Sequence, residues 1–158
     1  MEQTYVDIMI QSLEKKIKVL EEIKKQNLIQ KDLLEDDNAE ADAFDETVEK
    51  KAALIEQMTQ LDSGFDKLFD RVKEALDNDR DNYTDKIKSM QSLIRKITDL
   101  SMEIQAQEAR NKELMTRKFV GIRERAKTVR TNTKAATQYY QNMMQLNVID
   151  PQFMDNKK

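Results

Sequence analysis

Residues 54–75 have the sequence LIEQMTQLDSGFDKLFDRVKEA. Its apolar side chains recur at alternating spacings of four and three residues: Leu54, Met58, Leu61, Phe65, Leu68, Val72 and Ala75. This is the a/d rhythm of a helix that buries one narrow stripe against neighbouring helices. The stretch therefore predicts a long α-helix in a coiled-coil-like bundle.

Two flanking segments carry the same rhythm. The first holds Val6, Ile10, Leu13, Ile17 and Leu20. The other holds Tyr83, Ile87, Met90, Ile94, Ile97, Ile104 and Met115, and after one extra four-residue step it continues from Phe119 to Met143. Polar runs between the segments predict that helix 1 ends near Asp37, that Asp42 is the N-cap of helix 2, and that helix 3 begins near Asn82.

The composition fits long helices with few turns. The chain has 2 Gly and 1 Pro in 158 residues, 36% charged residues and 39% apolar residues. Such a chain supports only a thin core. We predict an all-α fold, an elongated antiparallel bundle of three long helices. The third helix draws level with the first turn near Arg117, so its remainder extends beyond the bundle or folds back as a fourth helix.

Several classes of function are disfavoured. The chain has no Cys and no His, and we expect no enzyme, no metal site and no cofactor. A calcium-loop pattern starting at Asp77 has Asn82 where Gly is needed and Lys88 where a bidentate Glu is needed. We interpret it as an acidic turn that caps helix 3. With no long apolar run and no secretory signal at the start, we expect no membrane insertion and a cytoplasmic location.

Charge is unevenly distributed along the chain. Residues 32–49 hold nine acids and no base, whereas residues 110–134 hold nine bases and two acids. The predicted bundle places the start of the basic block beside the acidic block, where their charges partly neutralise each other. Because the net charge is -3 and Phe119 is the single aromatic residue within the basic block, we expect no nucleic-acid binding.

Three polar residues, Ser101, Glu108 and Asn111, interrupt the apolar stripe of helix 3. Two interpretations remain open. A buried polar layer disfavours slipped pairings and so controls register. Alternatively, the layer marks where helix 3 leaves its neighbours and becomes exposed or bound to a partner.

The C-terminal segment, residues 119–149, is rich in adaptable apolar side chains, which are typical of docking surfaces. The residues predicted to bind a partner are Phe119, Ile122, Ala126, Val129, Ala136, Tyr139, Tyr140, Met143, Met144 and Leu146. Two alternatives remain: the segment folds back as a fourth helix, or it pairs with a second copy in a homodimer. Asp150 and Pro151 end the helical pattern, so residues 150–158 are predicted to be a tail.

Three segments of the sequence carry a likeness to a known family: EKKAALIEQMTQLDSGF at residues 49–65, IQAQEARNKEL at residues 104–114, and AATQYY at residues 135–140. In these segments the sequence resembles the FlgN family of flagellar export chaperones. It spans most of the chain, and the size and order of the helices agree with it. Either Tyr139 or Tyr140 corresponds to the family's terminal tyrosine.

This resemblance implies a cytoplasmic chaperone that binds amphipathic C-terminal helices of hook-filament junction proteins. Such a chaperone prevents their aggregation and delivers them to the flagellar type III export gate, which the terminal tyrosine is implied to contact. We accordingly divide the chain into a bundle at residues 1–118, a partner-binding segment at residues 119–149 and the tail. The alternative function is a structural coiled-coil homo-oligomer or scaffold without chaperone activity.

Overall fold

The computed structural model of this chain describes residues 2–118 and residue 134. It contains three helices, α1 (Glu2–Glu35), α2 (Ala41–Asn78) and α3 (Arg80–Lys118). There is no strand in the part of the chain so described, and the predicted all-α bundle of three long helices is confirmed. The predicted partner-binding segment and the tail lie outside the described residues, apart from Lys134.

Helices α1 and α2 run antiparallel. Lys16 pairs with Asp62 at 2.6 Å, and Lys51 Nζ donates a hydrogen bond to Gln30 Oε1 at 3.2 Å. From Lys16 to Gln30 the chain advances along α1, while their partners move backward along α2, from Asp62 to Lys51. The two helices therefore point in opposite directions. This arrangement follows from the short connection between them.

Helices α1 and α3 run parallel. Lys86 on α3 pairs with Asp7 near the start of α1 at 2.5 Å, and Asn27 Nδ2 donates to Gln107 Oε1 at 3.1 Å much further along both helices. Both other helices pack closely along α1, whereas the backbones of α2 and α3 approach each other closely at few positions. Helix α1 is therefore the shared packing partner of the bundle.

Most of the core is one apolar cluster, and a smaller cluster lies at the end of the bundle near the first connection. The main cluster contains sixteen buried residues: Val6, Met9, Leu13, Ile17, Leu20, Ile23, Met58, Val72, Leu76, Tyr83, Ile87, Met90, Ile94, Ile97, Leu100 and Ile104. The distal cluster contains Leu34, Phe44 and Met115. The predicted stripe of α3 is buried as expected, while in the stripe of α2 only Met58 and Val72 are fully buried.

The connection between α1 and α2 corrects one prediction. Helix α1 ends two residues before the predicted Asp37, and α2 begins at Ala41, so the predicted N-cap, Asp42, lies inside its first turn. The N-cap is Glu40, which has extended backbone angles and makes no side-chain capping hydrogen bond. Asp42 still places a negative charge near the positive end of the helix dipole.

The connection between α2 and α3 is shorter than the polar run suggested. Asp79 alone separates the helices, and α3 begins at Arg80 rather than near Asn82. The Asp79 amide donates to Ala75 O at 2.9 Å, and Asn82 Nδ2 donates to both carboxylate oxygens of Asp79 at 2.8 Å. Residues Arg80–Lys118 are helical, so the stretch that resembled a calcium loop is not a loop.

Truncation of a buried methionine tests the packing of α3. Met90 is fully buried and Met102, on the same helix, is 54% exposed. We expect Met90→Ala to lower the free energy of unfolding by about 2–5 kcal/mol because it leaves a cavity. Met102→Ala is the matched control and should change stability by less than about 0.5 kcal/mol. Urea unfolding followed by circular dichroism measures both, and equal effects would contradict the packing described.

Candidate functional site

A layer of buried polar side chains separates the two apolar clusters. All three helices contribute to it, and hydrogen bonds or an ion pair link its members. The polar layer consists of Asn27 and Gln30 from α1, Lys51 from α2, and Gln107, Glu108 and Asn111 from α3. Because polar groups are costly to bury, this layer is the most unusual feature of the bundle interior.

The centre of the polar layer is an ion pair between α2 and α3. Lys51 Nζ lies 2.5 Å from Glu108 Oε1, and the two side chains are 7% and 1% exposed. Lys51 Nζ also donates to Gln30 Oε1 at 3.2 Å, so one ammonium group connects all three helices. Burial lowers the pKa of Lys51 from its ordinary value, and the negative charge of Glu108 opposes that shift.

The amide groups of the layer join α1 to α3. Asn111 Nδ2 donates to the Asn27 carbonyl oxygen at 2.9 Å and lies 3.4 Å from Gln30 Oε1. Asn27 Nδ2 in turn donates to Gln107 Oε1 at 3.1 Å. Within residues 2–118, the buried oxygens Asn27 Oδ1 and Asn111 Oδ1 have no hydrogen-bond donor. The layer is therefore a connected hydrogen-bond network in which two acceptors have no donor, and this reduces its net contribution to stability.

This geometry favours the register interpretation of the polar interruption in α3. A shift of α2 along α3 would separate Lys51 from Glu108 and leave two buried charges without partners, which is strongly unfavourable. The alternative, that α3 leaves its neighbours at this layer, is wrong. Glu108 and Asn111 are buried, and Met115 beyond them is still 1% exposed. Ser101 is buried too, but its hydroxyl donates to Ile97 O in its own helix at 2.7 Å.

Apolar periodicity alone does not predict the burial of Lys51, Asn27 and Gln30, although their positions in the heptads indicate it. Lys51 lies seven residues before Met58 in the buried stripe of α2. Asn27 lies seven residues after Leu20, and Gln30 seven after Ile23, so both extend buried stripes of α1. Residues one heptad apart face the same neighbour. Extension of each stripe through its polar members would have placed all three in the interior.

The residues predicted to bind a partner, all between Phe119 and Leu146, lie outside the described residues. The structure does place Lys118, the residue that immediately precedes that segment. Lys118, the last described residue of α3, donates through Nζ to Leu33 O at 3.1 Å and also to Asp36 O. A lysine in this position satisfies carbonyl groups at the C-terminal end of α1. The third helix thus draws level with the first connection, as predicted.

The acidic block lies at the same end of the bundle. All nine of its carboxylate residues, from Asp32 to Glu49, are exposed. Lys118 reaches this end, although its partners are backbone carbonyl groups rather than carboxylates. The predicted proximity of the two blocks is therefore confirmed for the start of the basic block, and its later residues, except Lys134, fall outside the described part.

The layer offers no open reaction site, because Lys51 and Glu108 are enclosed by the three helices. Among the described residues, no three His, Cys, Asp or Glu side chains are arranged to hold a metal ion. No helix within the same part of the chain is long and apolar enough to cross a membrane. The polar layer thus has an evident structural role, in setting the alignment of the helices.

Comparison with known protein families identifies a family for this chain. The model of a protein family described as "FlgN protein" matches residues 1–147, which includes the three helices and nearly all of the predicted partner-binding segment. No curated protein and no solved structure matches the chain at the required significance.

Substitutions in the ion pair test the energetics of the polar layer. Lys51→Ala should lower the free energy of unfolding by about 3–5 kcal/mol, because it leaves the buried Glu108 carboxylate unpaired. Lys51→Met combined with Glu108→Leu should leave stability unchanged or raise it by up to about 4 kcal/mol. Urea unfolding measures both variants.

The control for this test is the exposed pair of Lys24 and Glu103, whose side chains are 39% and 52% exposed. Lys24→Ala should cost no more than about 1 kcal/mol. If Lys51→Ala costs no more than Lys24→Ala, the pair is not buried as described.

Proposed function

The chain belongs to the FlgN family, a family of flagellar export chaperones, and we propose that it binds amphipathic C-terminal helices of hook-filament junction proteins. In this proposal the chaperone works in the cytoplasm, prevents aggregation of its cargo and delivers it to the flagellar type III export apparatus. The match over residues 1–147 carries the proposal, because it includes the segment in which sequence analysis places the partner-binding residues.

The distribution of apolar surface supports this choice of segment. In the described part of the chain, the large apolar side chains with substantial exposure are Ile8, Leu28, Ile29 and Met102. They are spread over α1 and α3, and single exposed apolar residues are normal on a protein surface. The stripe from Phe119 to Leu146 is the better candidate for a cargo helix, because it repeats apolar residues at helical spacing over a long stretch.

The proposed mechanism requires binding and no chemistry. A cargo helix lays its apolar face on the stripe, where Met143 and Met144 adapt to different side chains and Tyr139 and Tyr140 supply rigid contact area. Binding hides the cargo's apolar face from water and from other copies, which suppresses aggregation. Contact of Tyr139 or Tyr140 with the export gate then accompanies delivery of the cargo. We propose residues 1–118 as the bundle, residues 119–149 as the binding segment and residues 150–158 as a tail.

The proposal predicts a selective loss of binding. We expect Tyr140→Asp combined with Met143→Asp to abolish capture of a hook-filament junction protein from the lysate of a motile bacterium, because two charges then interrupt the apolar stripe. The matched control is Gln138→Asp with Gln145→Asp, which adds the same charge to the polar side predicted by the spacing and should retain capture. A pull-down with identification by mass spectrometry measures both, beside the full-length protein and a chain that ends at Phe119.

Three outcomes contradict the proposal. If the chain ending at Phe119 captures the junction protein as well as full-length protein does, the binding site lies in the bundle. If the protein recovers only further copies of itself, it is a structural coiled-coil homo-oligomer. If the Asp variant loses helical content by circular dichroism, Tyr140 and Met143 belong to the protein's own core.

A further inference from the structure

The bundle has two apolar clusters of very different size, and they do not merge. The distal cluster contains three buried apolar side chains, supported by the partly buried Leu33, Val48 and Leu114. The main cluster contains sixteen. Since apolar stabilisation grows with buried area, the distal cluster holds its part of the helices much more weakly than the main cluster holds the rest.

The polar layer lies between these clusters on every helix. On α1, Asn27 and Gln30 lie between Ile23 and Leu34. On α2, Lys51 lies between Phe44 and Met58, and on α3, Gln107, Glu108 and Asn111 lie between Ile104 and Met115. Apolar packing therefore does not continue from the distal cluster to the main cluster. If the distal cluster comes apart, no cavity opens in the main cluster.

The polar side chains of the layer make it easier for the helices to separate here than at an apolar layer. When the distal cluster opens, water reaches Lys51 and Glu108, and both charges regain the hydration that burial removed. Asn27 Oδ1 and Asn111 Oδ1, which have no donor within residues 2–118, also gain water as a donor. These gains offset part of the cost of opening, whereas exposure of an apolar layer would have no such compensation.

We propose that the distal end of the bundle opens as a separate unit while the main cluster stays folded. This unit, which we call the distal unit, comprises residues 31–50 of α1, the first connection and α2, together with residues 109–118 of α3. Its opening releases Lys118 Nζ from Leu33 O and Asp36 O, the contacts that hold the end of α3 against α1. Lys118 immediately precedes the segment proposed to bind a partner, so opening of the distal unit releases the residue to which that segment is joined.

Hydrogen exchange of the full-length protein, measured by mass spectrometry, tests this proposal with a pair of substitutions. Met115 in the distal cluster is 1% exposed, and Ile97 in the main cluster is equally buried. Met115→Ala should speed exchange in the distal unit by roughly 30-fold or more, and it should also speed exchange in residues 5–23 and 83–104, because complete unfolding includes the distal cluster. Ile97→Val should speed exchange in residues 5–23 and 83–104 by roughly 2-fold to 10-fold and leave the distal unit unchanged.

A third variant tests the role of the polar layer. Lys51→Met with Glu108→Leu joins the two clusters through apolar side chains, so the distal unit should exchange as slowly as the main cluster. The proposal is overturned if Ile97→Val speeds both regions by the same factor, or if Met115→Ala prevents folding. Either result means that the bundle unfolds as one unit. The readout concerns residues 2–118 and does not depend on whether a cargo protein is found.

Discussion

The ion pair of Lys51 and Glu108 constrains the arrangement of the three helices more tightly than any apolar contact does. Apolar stripes tolerate a shift by one heptad, because one leucine or methionine replaces another at the interface. A buried lysine paired with a buried glutamate does not tolerate such a shift, since either charge alone in the interior is strongly unfavourable. The contact at 2.5 Å, together with the hydrogen bond from Lys51 to Gln30, fixes which residues of α1, α2 and α3 lie at the same level.

Periodicity predicted the apolar framework of this fold well. The stripe through Ile87, Met90, Ile94 and Ile97 is buried as expected, because a/d spacing translates directly into one face of a helix. The connections were harder to predict, since several polar residues in a row are each compatible with a helix terminus. Asp42 and Asn82 were both assigned to termini, yet both lie within helices, where exposed polar side chains remain solvated.

The polar interior was predicted only in part, for a physical reason. Glu108 and Asn111 were recognised because they interrupt a long apolar stripe, but Lys51 was not, because it follows Glu49 and Lys50 in what looks like a solvated charged run. A lysine is buried only when a partner from another helix compensates its charge, and a single helix does not reveal that partner. The proposed binding site is hard to predict for the same reason. Its residues are recognised by their spacing, but their partner belongs to another protein.

Residues 2–118 form a bundle with its own core, and we propose that residues 119–149 bind a partner. The most direct test compares urea unfolding of the full-length protein with that of a chain ending at Lys118. We expect free energies of unfolding that agree within about 1 kcal/mol, because the removed segment is proposed to bind a partner rather than to pack in the core. A shortened chain that is unfolded, or less stable by several kcal/mol, would show that the segment completes the bundle and would contradict the account.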